Sequence, residues 1–161
     1  MLALVAALGP LVEQIRLLTS EIAGAVRSHP DGELFLSLFR DPKSVICAAT
    51  LLAEMGDCRA RYPSSAAVAV ESGRRRVATF RRACDPRLRA ALCTLADATR
   101  HRHPWARRLY RDARARGHDH PRATRTLGRA WTRVLWRMWQ DRTPYDLARH
   151  GFLCRQMGTG G

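Results

Sequence analysis

PRATRTLGRAWTRVLWRMW, residues 121–139, decides the fold class. Leu127, Trp131, Val134, Leu135, Met138 and Trp139 recur at spacings of three and four, so they share one side of an α-helix. Pro121 suits the first turn of that helix, where its missing N–H costs nothing. Tryptophans at this spacing read as core residues, with base-stacking platforms as the competing reading.

The stretches on either side repeat the pattern. Thr143-Pro-Tyr-Asp146 reads as a turn after the helix. Before it, Pro104-Trp105 opens a helix that ends at Gly117, with Trp105 and Leu109 inward and arginines outward. Asp85-Pro86 is a helix-start signal, and Leu88, Leu92 and Leu95 make that helix's core face. Residues 57–83 read as an irregular centre in which Ala67–Glu71 and Val77–Phe80 are short strands or loops. Asp41-Pro42 predicts a further helix, with Val45, Ile46, Ala49, Leu52 and Met55 buried and Gly56 as its stop. Ser28-His-Pro-Asp-Gly32 is a turn leading into a short helix over 33–39. These two helices around Arg40-Asp-Pro-Lys43 could form a DNA-backbone clamp, but the glycine-bearing turn of such a clamp is absent.

At the N-terminus, Met1, Leu4, Leu8, Leu11, Ile15, Leu18, Ile22 and Ala25 alternate spacings of three and four, the seam of a coiled coil. A helix packed on its own domain is the other reading. Pro10 interrupts the run and puts the regular start near Leu11. The heptads are already running at Met1, so the start is expected to lie inside a longer helix. The expected architecture is mainly α. A coiled-coil-like helix (1–28) precedes a compact helical domain (29–150) with an irregular central loop region and possible short strands. A disordered Gly-rich tail (151–161) follows.

Composition narrows the function. The chain has 161 residues and a formal net charge of +14. Residues 1–57 are slightly acidic, net −3, whereas residues 58–161 carry 24 basic and 7 acidic side chains. Of the 28 basic residues only Lys43 is lysine. Guanidinium forks suit phosphate oxygens, and a field of this sign attracts a polyanion. No apolar run reaches the roughly 20 residues that span a bilayer. Five cysteines without a CxxC pair fit reduced thiols rather than a disulfide framework, and Cys47 and Cys93 read as small core residues. His101, His103, His118 and His120 lack acidic or cysteine partners at metal spacing and read as polar loop residues.

One small group could carry chemistry. Ser72 precedes Gly73 and the run Arg74, Arg75 and Arg76, with Arg81, Arg82, Arg87 and Arg89 close behind. A serine hydroxyl needs activation or a polarised electrophile, and flanking arginines can bind a scissile phosphate. An ordinary turn is the competing reading of Ser-Gly.

LLTSEIAGAV (17–26), DPKSVICAATLLAEMGDCRARYPS (41–64), ESGRRRVATFRRACDPRLRAAL (71–92) and HPWARRLYRDARARGHDHPRATRTLGRAWTRVLWRMWQDRTPYD (103–146) together resemble one family. It is the C-terminal half of DEDD-type bacterial insertion-sequence transposases, insertion-sequence family one-hundred-and-ten, which work with a bridge RNA. The resemblance spans roughly residues 11–150. It implies a transposase domain whose serine, here Ser72, attacks a DNA phosphodiester, with Arg74, Arg75 and Arg76 on phosphate. It implies a coiled-coil linker matching Leu4–Ala25, and a Mg²⁺ site in a separate RuvC-like domain with four acidic residues, so no cofactor is expected in this chain. Two departures stand out. The acidic domain is missing, so the chain alone is expected not to complete strand exchange. Only Ser64–Val70 occupy a place where relatives carry a helix and an Ala-Gly-x-x-Pro loop, as though by a small deletion that would misplace Ser72. The expected partners are DNA, bridge RNA, and a second copy or a full-length transposase joined through residues 4–25, in the bacterial cytoplasm with no membrane. A non-catalytic basic nucleic-acid-binding protein and a decayed remnant are the alternatives.

Overall fold

The computed structural model describes residues 2–39, 44–72 and 85–148. Among them are seven α-helices and no strand: α1 Leu2–Ser28, α2 Gly32–Leu36, α3 Val45–Met55, α4 Ser65–Ser72, α5 Pro86–Thr99, α6 Pro104–Ala115 and α7 His120–Asp141. The mainly α expectation holds.

α5 and α7 pack against each other at the centre. α3 lies on α5, α6 and α4 lie on α7, and the C-terminal part of α1 joins α2 and α3. α7 passes α5 at Gly128, where an added Cβ would make an ordinary van der Waals contact of 3.7 Å with the Leu92 carbonyl oxygen. Trp131, Trp139, Leu127, Leu88, Leu95, Leu51, Phe35 and Tyr62 are closed to solvent in one continuous core. The tryptophans of α7 are therefore core residues, as their spacing predicts.

Helix ends follow local chemistry. The Asp85 carboxylate accepts hydrogen bonds from the amides of Arg87 (2.8 Å) and Leu88 (3.2 Å), and Pro86 takes the first helical position. α7 starts one residue before Pro121, because Asp119 caps it through the Arg122 amide at 2.8 Å. Gly56, at φ +67°, ends α3 as expected. Gly32 has a stricter reason to be glycine: a Cβ there would stand 1.7 Å from the Val26 carbonyl oxygen.

Several expectations are corrected. α1 runs unbroken through Pro10 from Leu2. Pro10 is exposed, so water can hydrate the carbonyl that its missing N–H leaves without a donor. Ala67–Glu71 is helical, not a strand. Alanine-rich residues 66–69 favour helix, and the Ser64 hydroxyl accepts from the Ala67 amide at 3.3 Å. The stretch Ser64–Val70 thus leads into and forms most of a helix, Ser65–Ser72. In α3 the buried side is Val45, Ala48, Leu51, Leu52 and Met55. Ile46 is 43% exposed and Ala49 only half-buried. Regular helix begins at Val45 with Ser44 as N-cap, while Asp41-Pro42 and the turn of the supposed clamp lie outside the described residues, as do Val77–Phe80. Cys47 and Cys93 are half-buried. The Cys47 thiol donates to the Ala91 carbonyl at 3.6 Å, and burial pushes its pKa up to about 11.

Candidate nucleic-acid interface

The serine-arginine group singled out in the sequence is only partly in view. Ser72 is the last residue of α4. Gly73, Arg74, Arg75, Arg76, Arg81 and Arg82 lie outside the described residues. Arg87 and Arg89 are exposed in the first turns of α5. Cations there oppose the helix dipole, so they do not serve the helix itself. Two residues apart, they point to different sides of it. Arg87 approaches the Glu54 carboxylate at 3.9 Å. Glu54 is held above the usual carboxylate range, first by its hydrogen bond with Asp85 and then by burial. Burial pushes Asp85 up as well, yet its hydrogen bonds with Glu54 and the Leu88 and Arg87 amides hold it below the usual carboxylate range.

A larger basic surface lies on α6 and α7. In α7, Arg122, Arg125, Arg129, Arg133 and Arg137 are all exposed, at spacings of three, four, four and four. They occupy the side opposite Leu127, Trp131 and Leu135. Arg137 pairs with Asp141 at 2.6 Å. Among the described residues no carboxylate lies within ion-pair distance of the other four. In α6, Arg107, Arg108, Arg111 and Arg114 are exposed and Ala106 and Ala113 are buried. Arg107 donates to the His101 carbonyl and Arg108 reaches Asp112 only at 4.0 Å. The outward arginines of α6 were legible in the sequence. Those of α7 are absent from the expected site residues, although they recur in the sequence at the same helical spacing.

An aromatic cluster seats α6 on α7. Trp131 meets Trp105 with ring centroids 4.7 Å apart, His103 at 5.5 Å and Tyr145 at 5.4 Å. The Trp105 indole N–H donates to the Tyr145 hydroxyl at 2.8 Å. His103 is thus a buried residue at the head of α6, not a polar loop residue. His120 begins α7, with Nδ1 2.8 Å from the Tyr110 hydroxyl. The short loop between α6 and α7 places His118 near Arg122 and Arg116. Burial of its ring, then those two cations, hold it below the ordinary histidine range.

Among the described residues no three His, Cys, Asp or Glu side chains stand together as a metal site. The Mg²⁺ implied by the resemblance has no donor set among them. Nor is any described helix long and apolar enough to cross a membrane.

Compared with known families, residues 44–111 match the model described as the Transposase IS116/IS110/IS902 family. The match covers α3, α4, α5 and α6 as far as Arg111, and supports a transposase function with DNA as the partner it implies. No curated protein matches the chain.

Proposed function

We propose that this chain is the DNA-handling, C-terminal part of a DEDD-type transposase and holds its polyanion on the arginines of α6 and α7. The observation that carries this reading is the overlap of the family match with an exposed basic face. Arg107, Arg108 and Arg111 lie both within residues 44–111 and on the outer side of α6. A structured guide RNA would offer that face the same phosphate chemistry as DNA.

In this reading Ser72 is the nucleophile. Its Oγ attacks phosphorus, the bond from phosphorus to one deoxyribose oxygen breaks, and that oxygen leaves with the proton the serine gives up. The phosphodiester energy is kept in the protein–DNA link, and the freed hydroxyl can reverse it. Arg74, Arg75 and Arg76, and further along Arg81 and Arg82, are the neighbours suited to neutralise the charge that builds on phosphate.

The test is to mix the chain with a labelled 20-bp duplex at 50 mM salt and measure both retention and covalent adduct. Wild type should bind with Kd on the order of micromolar or tighter. Ser72→Ala should bind equally well but form no adduct. A wild type that binds and forms no adduct would remove Ser72 from the chemistry and leave a binding protein. No binding at 50 mM salt would sink the nucleic-acid reading.

The same reading gives α1 a second copy, or a longer transposase, as its partner. Leu8, Leu11, Ile15, Leu18 and Ile22 are between 36 and 62% exposed and form one seam. Isoleucine at two of the a positions with leucine at d favours two strands. Changing Ile15→Lys and Leu18→Lys together should convert a dimer to a monomer in light scattering without changing the helical signal. A wild type that stays monomeric at all concentrations would end the dimer reading.

A further inference from the structure

We infer that the arginine side of α7 is a rail for the phosphate backbone of duplex DNA, held without reading bases. The inference rests on the nucleic-acid reading above and goes beyond it by naming the surface, the form of the ligand and the mode of contact. Neither Ser72 nor the arginines around it take part.

Three observations point the same way. First, four of the arginines, Arg122, Arg125, Arg129 and Arg133, have no ion-pair partner among the described residues, and the next polar side chain in line, Arg137, is also cationic. Four guanidinium groups on one side of a helix without a carboxylate, with Arg137 held by Asp141 at their end, repel each other, so the arrangement is best satisfied by an external anion of matching length. From Arg122 to Arg137 the rail is about 22 Å long at ~1.5 Å per residue. With phosphates rising 3.4 Å per strand, that length faces on the order of six of them.

Second, the rail offers nothing for unpaired bases to stack on. Trp131 and Trp139 are closed to solvent, and the half-buried Trp136 spends its indole N–H on the Tyr62 carbonyl at 2.8 Å. Single-strand binders combine a basic groove with exposed aromatic platforms, and the platforms are missing from this side. Third, α7 is embedded along one whole side, from Ala123 and Leu127 to Leu135 and Trp139. A helix that reads bases stands proud enough of its domain to reach the floor of a major groove about 8.5 Å deep. A helix sunk to half its girth, with the arginines of α6 beside it, meets the ridges of the duplex instead. Phosphate contacts of that kind fix position and carry no sequence information.

The test uses the full chain, two 20-bp duplexes of unrelated sequence and a single strand of equal length, followed by fluorescence anisotropy from 50 to 200 mM salt. Changing Arg125→Gln, Arg129→Gln and Arg133→Gln together keeps helix propensity on an exposed side. The slope of log affinity against log salt should become shallower by about 2.7, at ~0.9 per lost phosphate contact. Affinity should fall on the order of a hundredfold, by the same factor on both duplexes, and the single strand should bind more weakly than either. Arg129→Gln alone should take about 0.9 from the slope, which serves if the triple variant does not fold. The corresponding triple change to lysine should keep the slope and lose less than about tenfold, because a point cation still neutralises phosphate.

If wild type binds and the glutamine variants keep its slope and affinity, the rail is overturned while the nucleic-acid reading stands. A loss confined to one duplex, or a lysine variant as weak as the glutamine one, would mean base reading and also overturn it. A single strand bound as tightly as the duplexes would overturn the duplex assignment. Absence of wild-type binding to any probe would instead defeat the reading on which the inference rests.

Discussion

Trp131→Ala is expected to lower stability by about 3–5 kcal/mol, the range for emptying a large aromatic site in a closed core. Trp131 is fully closed to solvent and is touched by three rings from two other parts of the chain: His103 and Trp105 at the head of α6, and Tyr145 after α7. Domains of this size have only about 5–15 kcal/mol in total. The melting temperature should fall by roughly 10 °C or more. The loss should also reach the contact between α6 and α7, because Trp131 seats α6 on α7. Trp131→Phe should be far milder, near 1 kcal/mol. The indole Nε1 has no hydrogen-bond acceptor among the described residues, so losing that N–H orphans nothing. Thermal melts of the two variants read the result. An alanine variant within about 1 kcal/mol of wild type would mean the cluster does not close this part of the core.

Arg59→Ala should cost about 3 kcal/mol, although Arg59 sits in a short 3₁₀ turn, Arg59–Arg61, outside every long helix. Its guanidinium donates to the Asp31 carboxylate at 2.6 Å and to the Trp139 carbonyl at 2.8 Å, and it lies 5.3 Å from the centre of the Trp139 ring. One side chain therefore ties the start of α2 to the end of α7. The Asp31 side chain is 8% exposed, so removing its cation leaves a nearly buried charge without a partner. Changing Asp31→Asn together with Arg59→Ala should recover part of the loss, because the orphaned charge goes too. Chemical denaturation of the single and double variants measures that coupling. Equal stability of both would show that the ion pair contributes nothing and that the packing on Trp139 carries the effect.

Of the candidate site, the sequence made the basic sign and the arginine spacing legible. Ser72-Gly73 stands out in the sequence by its rarity, whereas the stripe from Arg122 to Arg137 is marked only by repetition. Repetition at helical spacing shows which residues share a side. Whether that side faces solvent depends on what covers the helix, and the burial of Leu127, Trp131 and Leu135 on α5 and α6 answers it.

What the sequence determined by itself was the part governed by neighbours within four residues. The helical period of residues 121–139, the Asp-Pro start at Asp85-Pro86 and the stop at Gly56 all follow from one turn of backbone hydrogen bonding. What only the tertiary structure decided was the outcome of competition between equally apolar choices. Ile46 and Leu51 are both apolar, but contact with α5 rotates α3 so that Leu51 is buried and Ile46 is not. His103 became a core residue because Trp131 and Tyr145 close over it. Residues 65–72 became helix because Val68 finds a buried place there. Arg59 met Asp31 across 28 residues and Trp139 across 80. Such contacts reward burial between distant segments, and local pattern has no term for them.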